Sequence, residues 1–213
     1  MVFSSLVFLC LFLPAFLLIY FLLPKLRTVS LVAFSLVFYA YGEPVWVLAL
    51  LFSGTIDYFH GRIIGRWPHS WQRKAALISS LVLNLGLLGV FKYSGFAIEN
   101  INAIFGLTLA APSFSLPLGI SFYTFQTISY TVDVYRGDIK PQKSYLAFMS
   151  YVTMFPQLVA GPIVRYADIE ERLTERRVTL EGFSSGVTRF AVGLGKKVLL
   201  ANAAGAAVDT LLA

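Results

Sequence analysis

The chain has 213 residues, of which 57% are hydrophobic and only 13% are charged, and its mean hydropathy is +0.74. Soluble domains carry about 25% charged residues, so this composition excludes an ordinary water-soluble enzyme and predicts an integral membrane protein. The net charge of +6 lies mostly in the segments between apolar runs, which indicates membrane topology rather than a nucleic-acid partner. The single cysteine, Cys10, excludes an intrachain disulfide and a thiolate metal cluster.

The apolar runs define the predicted organisation. A membrane-spanning helix needs about 20 mainly apolar residues, and the sequence contains several runs of this kind. We therefore predict an all-α, polytopic transmembrane helical protein in which residues 1–213 form part of a single domain. The predicted elements are spans over 2–23, 28–41, 44–64, 75–96 and 116–135, an interrupted run over 145–163, a charged interfacial helix over 167–177 and a further apolar segment over 182–212.

Basic residues in the loops give an orientation, because lysine and arginine favour the cytoplasmic side of a membrane. The first loop contains Lys25 and Arg27, whereas the turn at 42–44 contains no basic residue. The loop at 62–74 is basic and lacks acidic residues, and the stretch 97–115 has neither lysine nor arginine. Five spans that alternate in this way predict an extracytoplasmic N-terminus.

The run over 145–163 breaks this alternation, since basic residues flank it on both sides. It also contains Pro156 and the pair Gly161-Pro162. Proline removes a backbone donor and disfavours helix at the residue before it. We predict a re-entrant or broken helix here, with a kinked ordinary span as the alternative.

Two histidines lie in or near the predicted spans. Asp57 and His60 are three residues apart and share a face of a helix, so we expect them to hydrogen-bond to each other or to water, with a proton relay as the alternative. His69 lies between two tryptophans in the WPHSW loop, which is typical of an interfacial aromatic belt. Two isolated histidines do not predict a metal site.

The fifth predicted span also contains polar residues in its cytoplasmic half, and Arg136 directly follows it. Asp133 and Arg136 are three residues apart, and a salt bridge between them would lower the free-energy cost of placing each charge near lipid. Gln126, Ser129 and Tyr130 lie within two helical turns above this pair. Together these side chains could line the inner mouth of a cavity.

Four stretches of the sequence carry a resemblance to a known family. LPLGISFYTFQTISYTVDVYRG, which begins at Leu116, closely resembles a signature of the membrane-bound O-acyltransferase superfamily, in particular of alginate O-acetyltransferases and teichoic-acid D-alanyl-transfer proteins. FPQLVAGPIVRYADI, MVFSSLVFLCLFLP and GVTRFAVGLGKKVLLAN are similar to stretches of the alginate-type proteins. The chain is identified as an N-terminal portion of such a protein.

The resemblance implies a fold around a cavity through the bacterial inner membrane. An acyl group, acetyl in alginate-type members, would pass from a cytoplasmic thioester such as acetyl-CoA to an extracytoplasmic polysaccharide. Extracytoplasmic partner proteins would assist, and no cofactor would remain bound. The residues expected at the acyl-donor cavity are Gln126, Tyr130, Asp133, Arg136, Pro156, Gln157, Gly161, Pro162 and Arg165.

The sequence departs from the family in one respect. The family's catalytic histidine lies in a W-H-x-S type motif well after the GPIVR-like block, and neither His60 nor His69 has that context. The resemblance therefore implies that this histidine lies beyond Ala213. We assign no catalytic residue among the 213 and expect this chain to be inactive on its own.

Two other functions remain as alternatives. They are a non-catalytic membrane subunit and a transporter-like protein of exopolysaccharide export. A transporter predicts interrupted segments in two related halves, whereas the sequence shows one such block. This difference favours the acyltransferase.

Overall fold

The computed structural model describes residues 2–67, 70–110, 116–158, 161–174 and 178–212. Every regular element in these ranges is helical, which confirms the predicted all-α class. A π-helical turn at Phe8–Phe12 precedes the first α-helix, and a second one at Lys196–Ala201 joins the last two. The α-helices are α1 (Leu13–Leu22), α2 (Arg27–Gly42), α3 (Val47–Arg66), α4 (Trp71–Phe105), α5 (Ile120–Arg136), α6 (Tyr145–Thr153), α7 (Phe155–Leu158), α8 (Tyr166–Thr174), α9 (Leu180–Gly195) and α10 (Asn202–Leu212).

The chain divides into two compact units. The larger unit comprises residues 20–174 and contains α2 to α8. Within it, α3 packs against α4 and α5, and α6 packs against α2 and α3. Its core is rich in aromatic side chains, and Tyr123, Tyr130, Phe148 and Tyr151 are completely buried.

In the described part of the chain, three helices are long and apolar enough to cross a membrane: Val47–Arg66, Trp71–Phe105 and Leu180–Leu211. The pair Phe8–Leu22 and Pro24–Gly42, which bends between its two parts, would add a fourth span. The chain is therefore a multi-pass membrane protein by helix length and composition. Helix α4 contains 35 residues, or about 52 Å at 1.5 Å per residue, so it extends well beyond a hydrocarbon core of about 30 Å.

The apolar run over 145–163 is broken, as the sequence predicts. Helix α6 has nine residues and ends at Thr153, which gives it about 14 Å, too little to cross a hydrocarbon core of about 30 Å. Met154 has φ −49° and ψ 107°, outside the helical region, and a single turn, α7, follows. Helix α6 is almost entirely buried in the larger unit, so irregular backbone at this point is covered by protein. Its placement in the membrane remains a prediction.

The smaller unit comprises residues 1–19 and 175–213. Its helix α9 begins after Thr179, whose side chain accepts a hydrogen bond from the backbone N–H of Gly182. Most of its side chains are exposed, including Leu180 and Leu199. The unit therefore presents much apolar surface and little core of its own.

Candidate functional site

The central feature of the predicted site is an ion pair between the last turn of α5 and the residue that precedes α8. Asp133 is 2% exposed, and its two carboxylate oxygens accept hydrogen bonds from Arg165. The Nε–Oδ2 distance is 3.2 Å and the Nη2–Oδ1 distance is 2.5 Å. Such bidentate pairs are among the stronger hydrogen-bonded contacts in proteins. The contact with Asp133 raises the pKa of the Arg165 guanidinium.

The predicted salt bridge between Asp133 and Arg136 is wrong. Arg136 is exposed, and among the described residues the cation that pairs with Asp133 is Arg165. The reason is geometric, since the fork of a guanidinium approaching from another segment can satisfy both carboxylate oxygens at once. Asp133 lies on the buried face of α5, whereas Arg136 ends the helix at the surface.

A second contact joins α5 to α6 and to the segment before Arg165. The Gln126 side chain donates from Nε2 to the backbone oxygen of Tyr151 at 2.7 Å. The Tyr151 hydroxyl in turn donates to the backbone oxygen of Val164 at 3.0 Å and lies 3.3 Å from the backbone oxygen of Gln126. These bonds fix the backbone of residue 164 against the core, next to Arg165.

Three buried tyrosines surround this junction. The ring of Tyr166 lies 5.2 Å from the rings of both Tyr130 and Tyr151, centroid to centroid. Gln142 connects two of them, because its backbone N–H donates to the Tyr130 hydroxyl at 3.0 Å and its Nε2 donates to the Tyr166 hydroxyl at 2.6 Å. The sequence analysis missed Gln142, Tyr151 and Tyr166. Only Tyr166 had a signal, as the neighbour of Arg165.

The remaining predicted residues lie at and after the helix break. Pro156 and Pro162 are exposed, and Gln157 is half-buried with its Nε2 atom buried and unpartnered among the described residues. The Gly161 N–H donates to the Gln157 backbone oxygen at 3.2 Å. A Cβ atom on Gly161 would lie 2.9 Å from that oxygen, so the chain turns too tightly here for a larger residue.

The structure thus brings together part of the predicted set. Gln126, Tyr130, Asp133 and Arg165 join one hydrogen-bonded, aromatic block, whereas Arg136 lies apart on the surface. The three α5 side chains among them are packed against protein and satisfied by neighbouring groups.

A second polar cluster lies between α3, α4 and α5. Asp57 is completely buried, and its carboxylate accepts hydrogen bonds from Ser80 Oγ at 2.6 Å and from Asn84 Nδ2 at 2.7 Å. The predicted contact with His60 is confirmed, with 3.3 Å between Nδ1 and Oδ1. Ser53 Oγ donates to Asn84 Oδ1 at 2.7 Å. Because several donors converge on one carboxylate, the geometry favours a hydrogen-bonded core over a relay.

Two of the expectations from the sequence concern positions that the structure does not describe. His69, expected in an interfacial aromatic belt, lies outside the described residues. Ala213 also lies outside them, so the structure does not test the expectation that a catalytic histidine follows this residue. The absence of a catalytic residue from the 213 therefore stays a prediction.

Several curated proteins are similar to this chain over nearly its whole length. The chain is 40% identical over 222 residues to a protein of Pseudomonas aeruginosa named "Probable alginate O-acetylase", covering 98% of this chain and 41% of that protein. An identically named protein of Azotobacter vinelandii is 42% identical over 211 residues, covering 95% and 42%. A "Peptidoglycan O-acetyltransferase" of Helicobacter pylori is 30% identical over 235 residues, covering 95% and 45%.

These relatives confirm the resemblance to membrane-bound O-acetyltransferases that the sequence motifs indicate. The chain spans about two fifths of the length of the curated relatives it matches. No protein-family model matches it, and no solved structure gives a significant match.

Proposed function

We propose that this relative of alginate O-acetylases takes part in the O-acetylation of an extracytoplasmic polysaccharide. It would form the part of a bacterial inner-membrane enzyme that receives an acetyl group from a cytoplasmic thioester donor such as acetyl-CoA. Extracytoplasmic partner proteins would pass the group to its acceptor, and the N-terminus would face the extracytoplasmic side. One observation carries the proposal: similarity to acetylases over nearly the whole chain, at 40–42% identity.

The role we infer for Arg165 is to bind the acyl donor. Arginine has five N–H donors, and two of these groups, Nε and Nη2, are engaged by Asp133. The side chain is nevertheless 52% exposed, so its remaining N–H groups can reach a thioester carbonyl or a phosphate. Asp133 would act as a positioning residue that holds the guanidinium in one orientation.

Gln157 is the second residue that we assign to donor binding. Its buried Nε2 has no partner among the described residues, and a buried donor without an acceptor costs about 1–3 kcal/mol. A carbonyl oxygen of the donor would satisfy it. The tight turn at Gly161 holds Gln157 and the segment before Arg165 together.

The chemistry of transfer fixes what else the site requires. The thioester C–S bond breaks, an ester C–O bond forms to the acceptor hydroxyl, and the proton of that hydroxyl passes to a base before it reaches the leaving thiolate. The family's catalytic histidine, in its W-H-x-S type motif, would be this base. The described residues therefore supply binding and positioning rather than proton transfer.

The names of the relatives suggest two acceptors. The Pseudomonas aeruginosa protein is named for alginate and the Helicobacter pylori protein for peptidoglycan. Both acceptors present sugar hydroxyls to the same chemistry. We favour an alginate-like polysaccharide because identity is higher to the alginate-named proteins, 40–42% against 30%.

A chimera tests the proposal. The aligned two fifths of the Pseudomonas aeruginosa protein is replaced by this chain and expressed in a strain that lacks the original gene. We expect acetyl esters to return to the secreted alginate, measured by NMR of the purified polysaccharide. The same chimera with Arg165→Gln should acetylate at least severalfold less per molecule in the membrane, with the amount of membrane protein measured by immunoblot.

Lys25→Gln in the chimera is the matched control, because Lys25 is exposed and distant in sequence from the site. A chimera that is present in the membrane at normal level but leaves alginate unacetylated would contradict the acetylation proposal and favour a non-catalytic subunit or an export function. Normal acetylation by the Arg165→Gln and Gln157→Leu forms would refute the donor-binding roles alone.

A further inference from the structure

A groove lies at the C-terminal end of α3, and none of its lining residues has a role in the acetylation proposal. It has a volume of about 410 Å³, within the range of small-ligand sites. Arg62 and Arg66 line it together with Phe59, Ile63 and Trp67, and Pro141 contributes from the loop after α5. All of these residues belong to the larger unit.

The groove has positive charge without a counter-ion among the residues that the structure describes. Arg62 and Arg66 are four residues apart on one face of α3, an arrangement in which like charges repel. Neither forms an ion pair with a carboxylate among the described residues. The surrounding sequence, residues 62–74, holds four basic residues and no acidic one. An anion in the groove would relieve this repulsion.

The remainder of the groove is apolar and lies at the surface. Phe59 is 57% exposed and Trp67 is 39% exposed, and the Arg66 guanidinium lies 5.3 Å from the centroid of the Trp67 ring. Tryptophan and arginine beside the end of a spanning helix are typical of the headgroup level of a membrane. The groove therefore combines an apolar wall on the helix with a cationic end.

We propose that this groove binds an anionic phospholipid. The phosphodiester oxygens of the headgroup accept hydrogen bonds from Arg62 and Arg66, because guanidinium groups match phosphate geometry. The acyl chain lies along Phe59 and Ile63. A glycerol headgroup is favoured over choline, since choline brings its own cation to a site that already has two. This inference does not depend on the acetylation proposal.

The test uses the full chain purified in detergent and compares lipid binding by native mass spectrometry. The probes are phosphatidylglycerol, phosphatidylcholine and the soluble phosphate compound coenzyme A. We expect phosphatidylglycerol adducts to persist where phosphatidylcholine adducts do not. The double variant Arg62→Gln/Arg66→Gln should weaken phosphatidylglycerol binding by about ten- to thirtyfold, since each basic residue near a lipid surface contributes roughly 1 kcal/mol.

The matched control is Lys25→Gln/Lys143→Gln, which removes the same charge from two exposed lysines outside the groove. It should leave lipid binding unchanged. Equal weakening in both double variants would overturn the proposal in favour of bulk charge. Displacement of the lipid by coenzyme A, or equal binding of choline and glycerol headgroups, would overturn the assignment to an anionic lipid. Gel filtration of each variant checks that it remains folded.

Discussion

Arg165 forms a bidentate ion pair with Asp133, which lies 32 residues earlier in the chain. The pair connects the end of α5 to the start of α8, and the whole broken element of α6 and α7 lies in the loop that it closes. The Asp133 side chain is 2% exposed, whereas the Arg165 side chain is 52% exposed. The carboxylate therefore depends on the guanidinium for charge compensation, whereas the guanidinium can still reach solvent or a ligand.

We predict that Arg165→Gln lowers both thermal stability in detergent and acetylation by the chimera, because it leaves the buried Asp133 carboxylate without its cation. Arg165→Lys should restore part of the stability and little of the acetylation, since a lysine retains the charge but loses the bidentate fork. Melting temperature and acetyl content are measured on the same preparations.

The double variant Asp133→Asn/Arg165→Gln separates the two roles of the pair. It should recover stability relative to Arg165→Gln because no charge remains buried, yet acetylation should stay low because the arginine is absent. Arg136→Gln serves as the control, since Arg136 is exposed and outside the pair. A loss of stability in Arg136→Gln equal to that in Arg165→Gln would contradict the observed pairing.

The ion pair also shows what could be predicted from the sequence and what could not. The spacing of Asp57 and His60 correctly predicts a contact, because both residues lie on one helix and helical periodicity determines their separation. The same reasoning predicts the wrong partner for Asp133. Its true partner lies on another segment, and only the path of the chain through α6 and α7 brings it near.

The break in the helix was predictable for a similar, local reason. Pro156 and Gly161-Pro162 act on the backbone beside them, and the helix does end at Thr153. The convergence of Ser80 and Asn84 on Asp57 was not predictable, because the register between α3 and α4 depends on packing along their whole length. Local backbone effects can be deduced from the sequence, whereas the register between helices requires the fold.

Asn84 should be critical for the stability of the larger unit. Its side chain donates to Asp57 and accepts from Ser53, so Asn84→Ala leaves two buried polar groups unsatisfied. Each such group costs about 1–3 kcal/mol. We expect a loss of about 2–4 kcal/mol in unfolding free energy, measured by SDS titration in mixed micelles.

Asn100 provides the matched control for Asn84. It is exposed and, among the described residues, its side chain donates only to the Phe96 backbone oxygen on its own helix. Asn100→Ala should therefore change the unfolding free energy by less than about 0.5 kcal/mol. If the two substitutions had equal effects, the buried cluster would not be a structural element of the fold.

Close packing of α3 against α5 makes a further prediction. A Cβ atom on Gly61 would lie 2.6 Å from the ring and hydroxyl of Tyr130, and Tyr130 is held by Gln142 and by its aromatic neighbours. Gly61→Ala should therefore destabilise the protein by about 1–3 kcal/mol through overpacking. The same SDS titration measures the effect.

Gly86→Ala is the control for helix packing. A Cβ atom at this position in α4 has no neighbour within 4 Å in the described part of the chain, so the substitution should be neutral or stabilise the helix by about 0.5–1 kcal/mol. Opposite signs for Gly61→Ala and Gly86→Ala would support the packing explanation. A destabilisation of the same size at both positions would contradict it.

Gly119 precedes α5 and packs closely against the last residue of α7. It should therefore be important for both folding and acetylation. Its φ of +74° lies in the left-handed region, and a Cβ atom would approach the Leu158 backbone oxygen to 2.9 Å. Gly106 has a similar φ of +64°, but a Cβ atom built on it would have no described neighbour within 4 Å. Alanine at either position would cost about 1–2 kcal/mol from the backbone alone, and only Gly119→Ala adds the clash.

The comparison of these two glycines isolates the contact with α7. Gly119→Ala should displace α7 and with it Gln157, so acetylation by the chimera should fall further than the loss of stability explains. Gly106→Ala should lower stability modestly and leave acetylation per membrane-embedded molecule unchanged. Acetyl content normalised to membrane protein is the measurement. Equal normalised activity in the two variants would show that the position of α7 does not affect transfer, and the role of Gln157 in donor binding would then be refuted.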